Sequence, residues 1–110
     1  MFKKSERVTK REFTDFFATG KRHHFPLCSI ITLPFPKRKV AVVVSKKVVK
    51  SAVKRNLIKR RVFAVLHNEL SSSNYKGVLL VIVKPAFATL SRKQAAEEFR
   101  SIIAQVIKSA

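Results

Sequence analysis

Apolar and polar positions near the N-terminus follow the period of one short helix. Three phenylalanine residues recur at the spacing of a single helical face: Phe13, Phe16 and Phe17. Thr9 stands three residues before Glu12, which is the spacing of a capping box, and Gly20 follows as a stop. The pattern therefore predicts a helix over Lys10–Thr19.

Two apolar runs rich in β-branched residues come next. They cover Leu27 to Leu33 and Val40 to Val44, and Pro34 and Pro36 interrupt the chain between them. This pattern predicts two strands joined by a basic turn. It leaves open whether residues 23–26 open the first strand or contain another short one.

From about Val49 the apolar period becomes that of a longer helix. Apolar residues then recur at i, i+4, i+7 and i+8: Ile58, Val62, Val65 and Leu66. The spacing predicts a helix that runs to about Leu70. A polar loop is expected over residues 71–74.

The last third of the chain contains a strand pattern and a second long helix pattern. The run from Val78 to Val83 is typical of a fully buried strand, which Pro85 is expected to end. Ser91 and Gln94 form a second capping box. Apolar residues then continue at helical spacing: Ala95, Phe99, Ile102, Ile103 and Val106. The prediction is an α/β fold, an α+β sandwich ordered helix, strands, helix, strand, helix, in one domain over residues 1–110.

The charge of the chain indicates what kind of partner it binds. The chain has 24 Lys and Arg against 6 Asp and Glu, a formal net charge of +18. Thirteen of the basic residues lie between Asp15 and Glu69, a stretch that contains no acid. Such a localised block is tolerated more easily when a polyanion neutralises it, so nucleic acid is the expected partner.

Several classes of protein and site are disfavoured. Cys28 is the only cysteine, so no intramolecular disulfide and no cysteine pair for a metal site can form, which fits a reducing cytoplasm. No signal-peptide core or membrane-length apolar run is found. His23 and His24 lack companion ligands, and Ser45 before two lysines is a weak catalytic signal. We therefore expect no protein-based catalytic residues and no metal site.

The strongest candidates for nucleic-acid contacts lie in the central segment. They are Lys46, Lys47, Lys50, Lys54, Arg55, Asn56, Lys59, Arg60 and Arg61. At 100° per residue, Lys50, Lys54 and Arg61 fall on one stripe of the predicted helix. A merely solvated charged face is disfavoured, because like charges at i, i+4 destabilise a helix and no acid is near in sequence.

The three phenylalanines of the first helix allow two interpretations. Aromatic residues at this spacing are more often core than base-stacking platforms, and the core is expected to take at least one ring. Another ring could line a groove where unpaired bases stack.

One stretch resembles a known family. Residues 40–60, VAVVVSKKVVKSAVKRNLIKR, resemble the signature of the bacterial ribonuclease P protein: a strand, Ser-Lys-Lys, then a helix with an Arg-Asn-Arg style motif and a following Lys-Arg. The resemblance extends to FTDFFATG at 13–20, to the strand at 79–85 and to the helix from Ser91 onward. Nearly the whole chain is covered.

The resemblance implies a sandwich with an unusual left-handed crossover between parallel strands. It implies an RNA-contacting motif at Lys54, Arg55, Asn56, Lys59 and Arg60. It also implies a cleft for the 5′ leader of precursor tRNA at Phe13, Phe17 and Lys46. The family's catalytic RNA subunit and its Mg²⁺ ions would hydrolyse the phosphodiester, so the chain would be an enzyme subunit without catalytic residues of its own.

The chain departs from the family pattern at four positions. Leu57 stands where a second Arg is common, and Phe63 and Ala64 replace a frequent Arg-Glu pair. Gly77 precedes the late strand where Asp is common. Alternatives are a ribosomal protein, a non-specific DNA-binding protein and, least supported, a stand-alone nuclease. The sequence does not determine the oligomeric state.

Overall fold

The structure is a computed structural model that describes residues 6–109. Its elements in chain order are α1 (Lys10–Thr19), β1 (Lys21–His24), β2 (Cys28–Leu33), β3 (Arg38–Val43), α2 (Ala52–Ser73), β4 (Gly77–Val83), α3 (Pro85–Ala88) and α4 (Arg92–Ser109). The predicted first helix has the observed bounds. The predicted order of helix, strands, helix, strand and helix is confirmed, with β1 and the short α3 added.

The four strands form one sheet in the order β1-β2-β4-β3. β1 and β2, and β2 and β4, pair antiparallel, whereas β3 and β4 pair parallel. Parallel neighbours need a crossover, and α2 supplies it. The hand of that crossover stays a prediction. β4 is central, which explains its unbroken apolar sequence, since both of its faces are covered.

The sheet separates two cores of unequal size. On one face, alternate strand residues such as Val40, Val42, Leu79 and Val81 pack with α2 and α4 in the larger core. On the other face, Phe16 of α1 packs on a smaller set of strand residues: Ile31, Val78 and Leu80. The long basic helix is therefore held on one side of the sheet and the aromatic helix on the other.

Both ends of α2 differ from the sequence prediction, and the short α3 was not predicted. α2 begins at Ala52, because the Ser51 side chain accepts a hydrogen bond from the Lys54 backbone N–H at 3.4 Å and caps the helix there. Its end extends through residues 71–73, where a loop was expected, and Asn74 closes it with φ of 54°. Pro85 opens α3 after β4 ends, since proline suits the first turn of a helix.

Gly20 ends α1 for a reason other than left-handed backbone. Its φ is −75°, which any residue can adopt. A Cβ at this position would lie 2.9 Å from the Phe16 carbonyl oxygen and would also meet the Ile31 side chain. The glycine is therefore required by the close approach of α1 to β2.

The open question about residues 23–26 is resolved by β1. His23 and His24 belong to a separate edge strand that pairs with β2, and Phe25 and Pro26 lie in the connection. Side chains reinforce the pairing: His23 Nε2 is 3.1 Å from Thr32 Oγ1, and His24 Nδ1 is 3.2 Å from Ser29 Oγ. The two histidines thus bond to side chains of the neighbouring strand β2.

Candidate nucleic-acid interface

The loop between β3 and α2 presents three of the predicted cationic residues. Lys46, Lys47 and Lys50 are all exposed. Val48 is buried between them, and its N–H donates to the Ser45 carbonyl at 3.1 Å, so the core anchors the loop. Lys50 precedes the Ser51 cap. The prediction that Lys50 shares a helical stripe with Lys54 and Arg61 is therefore wrong.

Arg55 was predicted to be an exposed RNA ligand, and the structure gives it a structural contact. Its Nη1 donates to the Val49 carbonyl at 3.2 Å and to the Lys50 carbonyl at 2.6 Å. The residue is only half-exposed. The guanidinium thus ties the start of α2 to the preceding loop. The other two nitrogens, Nε and Nη2, do not take part in this contact, which leaves part of the group for a ligand.

The remaining predicted residues of α2 lie on two opposite flanks of the helix. The core side is set by the buried residues Ile58, Val62, Leu66 and Leu70. Lys54 and Arg61 lie on the flank that faces α4. Lys59 and Arg60 lie beside the edge of the sheet, lining a cleft with Arg7, Val40 and Phe63. Asn56 is exposed.

We call the space on the sheet side the edge cleft. It has a volume of about 440 Å³ and lies against β3. Arg7 makes a parallel β-bridge with Val40, so the N-terminal segment extends the sheet at this edge. The edge cleft therefore combines cations from the N-terminal segment and α2 over an apolar wall, although Arg7 was not among the predicted site residues.

The charge of this region is uncompensated. Among residues 6–109 the ion pairs join Arg38 to Glu6, Lys39 to Glu12 and Arg100 to Glu69. None of them involves residues 45–61 in that described range. Six residues there are exposed cations: Lys46, Lys47, Lys50, Lys54, Lys59 and Arg60. A polyanion is the natural ligand for such a surface, because it relieves the mutual repulsion and releases its counterions.

The three rings of α1 divide between core and surface. Phe16 is buried and meets Phe35 edge-on, with ring centroids 5.5 Å apart. Phe13 and Phe17 stack at 5.9 Å with an interplanar angle of 29°. Phe17 keeps 38% of its surface exposed, whereas Phe13 is half-buried. The expectation that the core takes at least one ring is confirmed, and Phe17 is the ring most available to a ligand.

Arg22 joins the aromatic pair, which the sequence did not predict. Its guanidinium carbon lies 4.5 Å from the centroid of the Phe17 ring. The contact depends on β1, because pairing of Arg22 with Ile31 places Arg22 on the α1 face of the sheet. An arginine over an exposed ring combines a phosphate ligand with a stacking surface.

The three predicted leader residues are not all in contact with one another. Phe13 and Phe17 are in contact on α1. α1 reaches the start of β3, where Glu12 pairs with Lys39 at 3.4 Å. Lys46 lies in the turn after the other end of β3. A ligand that touches all three must therefore run along the sheet.

The described residues supply little for protein-based chemistry. Within residues 6–109 there is no cluster of three or more His, Cys, Asp and Glu side chains that could hold a metal ion. Cys28 is buried, and burial raises the pKa of its thiol to about 12, so it is a poor nucleophile. No described helix has the length and apolar character needed to cross a membrane.

Together the fold and these surfaces define an RNA-binding class of protein. It is a small α/β sandwich with a helix whose exposed cations have no ion pairs in the described structure, and with a partly exposed aromatic pair. The family follows from comparison with known proteins. The model of the Ribonuclease P family matches residues 2–107, so the chain belongs to the ribonuclease P protein family.

Relatives agree with this assignment. The chain is 28% identical over 103 residues to the ribonuclease P protein component of Microcystis aeruginosa, covering 86% of this chain and 83% of the relative. It is 44% identical over 54 residues to that of a Picosynechococcus species, covering 47% of each. A Staphylococcus aureus RNase P protein at 2.0 Å has the same fold, with a TM-score of 0.72 at 18% identity, over 94% of this chain and 99% of that one.

Membership of the family fixes the general activity. The chain is a protein component of ribonuclease P, a ribonucleoprotein endoribonuclease, and works with the RNA subunit in tRNA 5′ processing. This confirms the resemblance drawn from residues 40–60 and rules out the ribosomal and DNA-binding alternatives. The individual site residues stay predictions.

Proposed function

We propose that this chain binds the RNA subunit through residues 46–50 and both flanks of α2, and that it holds the 5′ leader of precursor tRNA near Phe17. One observation carries the proposal: the six exposed cations of residues 45–61 have no ion pair within the described part of the chain. Phosphates are the counter-charge that such a surface fits. Binding should thus be set more by backbone charge than by base sequence.

We assign the 5′ leader to α1 because single-stranded RNA exposes its bases, and these can stack on an aromatic side chain such as Phe17. Phe17 keeps 38% of its surface exposed, and Phe13 stacks on its ring. The Arg22 guanidinium lies over the same ring and can neutralise a leader phosphate, so a base can replace it on the ring while it pairs with the backbone. Ring contact and charge contact together suit single-stranded RNA without strict sequence preference.

The phosphodiester hydrolysis is assigned to the RNA subunit. Mg²⁺ would supply Lewis-acid and water-activating chemistry when bound there. Residues 6–109 contain no cluster of His, Cys, Asp and Glu side chains that could hold a metal ion. The protein's part is to neutralise phosphates where the two RNAs meet, in the cytoplasm where precursor tRNA is made.

The RNA-binding half of the proposal is tested with Arg60→Ala. Arg60 is exposed, and alanine is the best helix former, so the variant should fold. Affinity for the RNA subunit is expected to fall by about tenfold, the value of one charge-assisted contact. Circular dichroism checks the helix content. Lys76→Gln is the matched control, because Lys76 is exposed but lies in the turn before β4. Equal affinity for Arg60→Ala and the wild type would contradict the proposal.

A further inference from the structure

A second groove lies between α2 and α4, and the proposed function uses only the two cations that α2 places on its rim, Lys54 and Arg61. This α4 groove has a volume of about 510 Å³, within the roughly 300 to 1,000 Å³ of sites that take compact ligands. Its apolar wall includes Leu57, Val65 and Ala96. Leu57 keeps 43% of its surface exposed, and the neighbouring Val53 keeps 78%. The groove therefore offers apolar surface that water covers in the free protein.

The rim of the α4 groove is cationic on both banks. Lys54 and Arg61 lie on the α2 side, and Arg92 and Arg100 lie on the α4 side. Arg100 is paired with Glu69 at 3.5 Å, which leaves three of the four cations without an ion pair among the described residues. An occupant of this groove must be apolar in the middle and anionic along its edges.

Arg61 has a buried hydrogen-bond donor without an acceptor in the described structure. Its Nε atom is shielded from solvent and has no acceptor among the described residues. A buried donor without an acceptor costs about 1 to 3 kcal/mol. Because the rest of the side chain is half-exposed, a small shift on ligand binding would bring the guanidinium to an oxygen of the ligand.

An unpaired nucleotide meets these requirements better than an acidic peptide helix. Three of the four rim residues are arginines, whose planar guanidinium groups stack on bases and also pair with phosphates. The proposed RNA surface already includes both flanks of this helix, so the same RNA partner can reach the groove.

We propose that the α4 groove binds one or two unpaired nucleotides of RNA, with a base against Leu57 and Ala96 and the flanking phosphates on Lys54, Arg61 and Arg92. The inference rests on the proposed function and assigns a new site to it. It makes α2 a helix that RNA contacts from two sides, one side through phosphates alone and the other also through a base.

The test is protection of a cysteine placed in the groove. Ala96→Cys puts a thiol on the groove wall, and the native Cys28 stays silent because it is buried. Ala104→Cys is the matched control: it lies two turns further along α4, is exposed and does not line the groove. Alkylation by a neutral maleimide is followed with a ten-nucleotide oligouridylate, an abasic oligoribonucleotide of the same length, or an acidic amphipathic peptide.

Oligouridylate is expected to slow alkylation of Ala96→Cys at least fivefold, and the abasic strand less than twofold, with Ala104→Cys unchanged. Equal protection by the abasic strand would overturn the inference, because phosphates alone would then explain it. Protection by the peptide and not by RNA would overturn it in favour of a protein partner. No protection by any probe would overturn it as well.

A charge variant separates this inference from the proposed function. Arg92→Gln should weaken oligouridylate binding by about tenfold, whereas Lys93→Gln, one residue along and outside the groove, should not. If Arg60→Ala weakens RNA binding while Arg92→Gln behaves like Lys93→Gln, the groove assignment fails and the proposed function stands. If neither changes binding, both fail.

Discussion

The basic segment around α2 and the α1 side of the sheet use their charges differently. On the α1 face, Lys39 pairs with Glu12. Next to it on β3 but on the other face, Arg38 pairs with Glu6 and donates to the carbonyls of Tyr75 and Leu70. These cations stabilise the fold. In residues 45–61 six exposed cations have no such pair in the described structure. Cations that the fold does not need are those most available to RNA. We therefore expect residues 45–61 to bind RNA mainly through charge, and the α1 side mainly through Phe17, with Arg22 as its one proposed phosphate ligand.

The largest expected effect is the response of RNA binding to salt. If the six exposed cations neutralise about six phosphates, log affinity should fall with log salt at a slope of roughly −4 to −5. Raising salt from about 50 to 200 mM should then weaken binding roughly 250- to 1,000-fold. The measurement is a titration of the RNA subunit at several salt concentrations. An affinity that does not depend on salt would remove the distinction between the two regions.

A smaller effect is expected at the aromatic side. Phe17→Ala should weaken binding of leader-bearing tRNA by about 1 to 3 kcal/mol, the value of stacking one base on an aromatic ring. Mature tRNA shares the tRNA body but lacks the leader, so its binding to the reconstituted holoenzyme should change less. Equal losses for both substrates would show that Phe17 acts in packing or assembly.

Alanine variants of Arg55 and Arg60 should differ in stability, because only Arg55 makes hydrogen bonds that hold the start of α2. Arg55→Ala removes two hydrogen bonds from a charged donor to loop carbonyls. We expect a loss of about 1 to 2 kcal/mol in unfolding free energy, since the group is partly exposed. Arg60→Ala should change that free energy by less than about 0.5 kcal/mol. Urea denaturation of both variants measures the difference, and equal stabilities would mean that the Arg55 contacts contribute nothing.

These assignments show which features the sequence could predict. The bounds of α1 followed from Thr9 and Glu12, because a capping box is local: Glu12 N–H donates to Thr9 Oγ1 at 3.2 Å, and Thr9 N–H donates to Glu12 Oε1 at 3.0 Å. β1 could not be predicted, because its sequence KRHH is wholly polar and becomes a strand only through pairing with β2. Tertiary pairing outweighed local propensity there.

The binding surface was predictable in its residue types more than in its geometry. The acid-free block identified the nine candidates, but their division between two flanks depends on how α2 docks on the sheet and α4. The structural role of Arg55 could have been predicted from its position on the helix. It lies about 20° from the buried Val62 on the helical wheel, which places it on the core side. Arg22 and Arg92 gave no local signal, since their surroundings come from distant strands and helices.

The smallest expected effect concerns pH and the α1 side. The pKa of Glu12 is lowered, first by the backbone hydrogen bond from Thr9 and also by Lys39. A carboxylate with a lowered pKa stabilises the folded state above its unfolded pKa, near 4.5, and that contribution is lost as pH falls through the folded pKa. Wild type should thus be more stable than Glu12→Gln at pH 7, by tenths of a kcal/mol, with the gap closing below about pH 4.5. A gap independent of pH would contradict the lowered pKa of Glu12.

The central claim, that α2 binds RNA by charge and α1 by aromatic contact, is tested most directly by comparing salt slopes. The titration uses the RNA subunit with precursor tRNA, and three proteins: the wild type, Lys59→Gln with Arg60→Gln, and Phe17→Ala. Losing two phosphate contacts should make the slope shallower by about 1.4 to 1.8, whereas Phe17→Ala should lower affinity and leave the slope unchanged. An unchanged slope in the double variant, or a shallower slope in Phe17→Ala, would contradict the account.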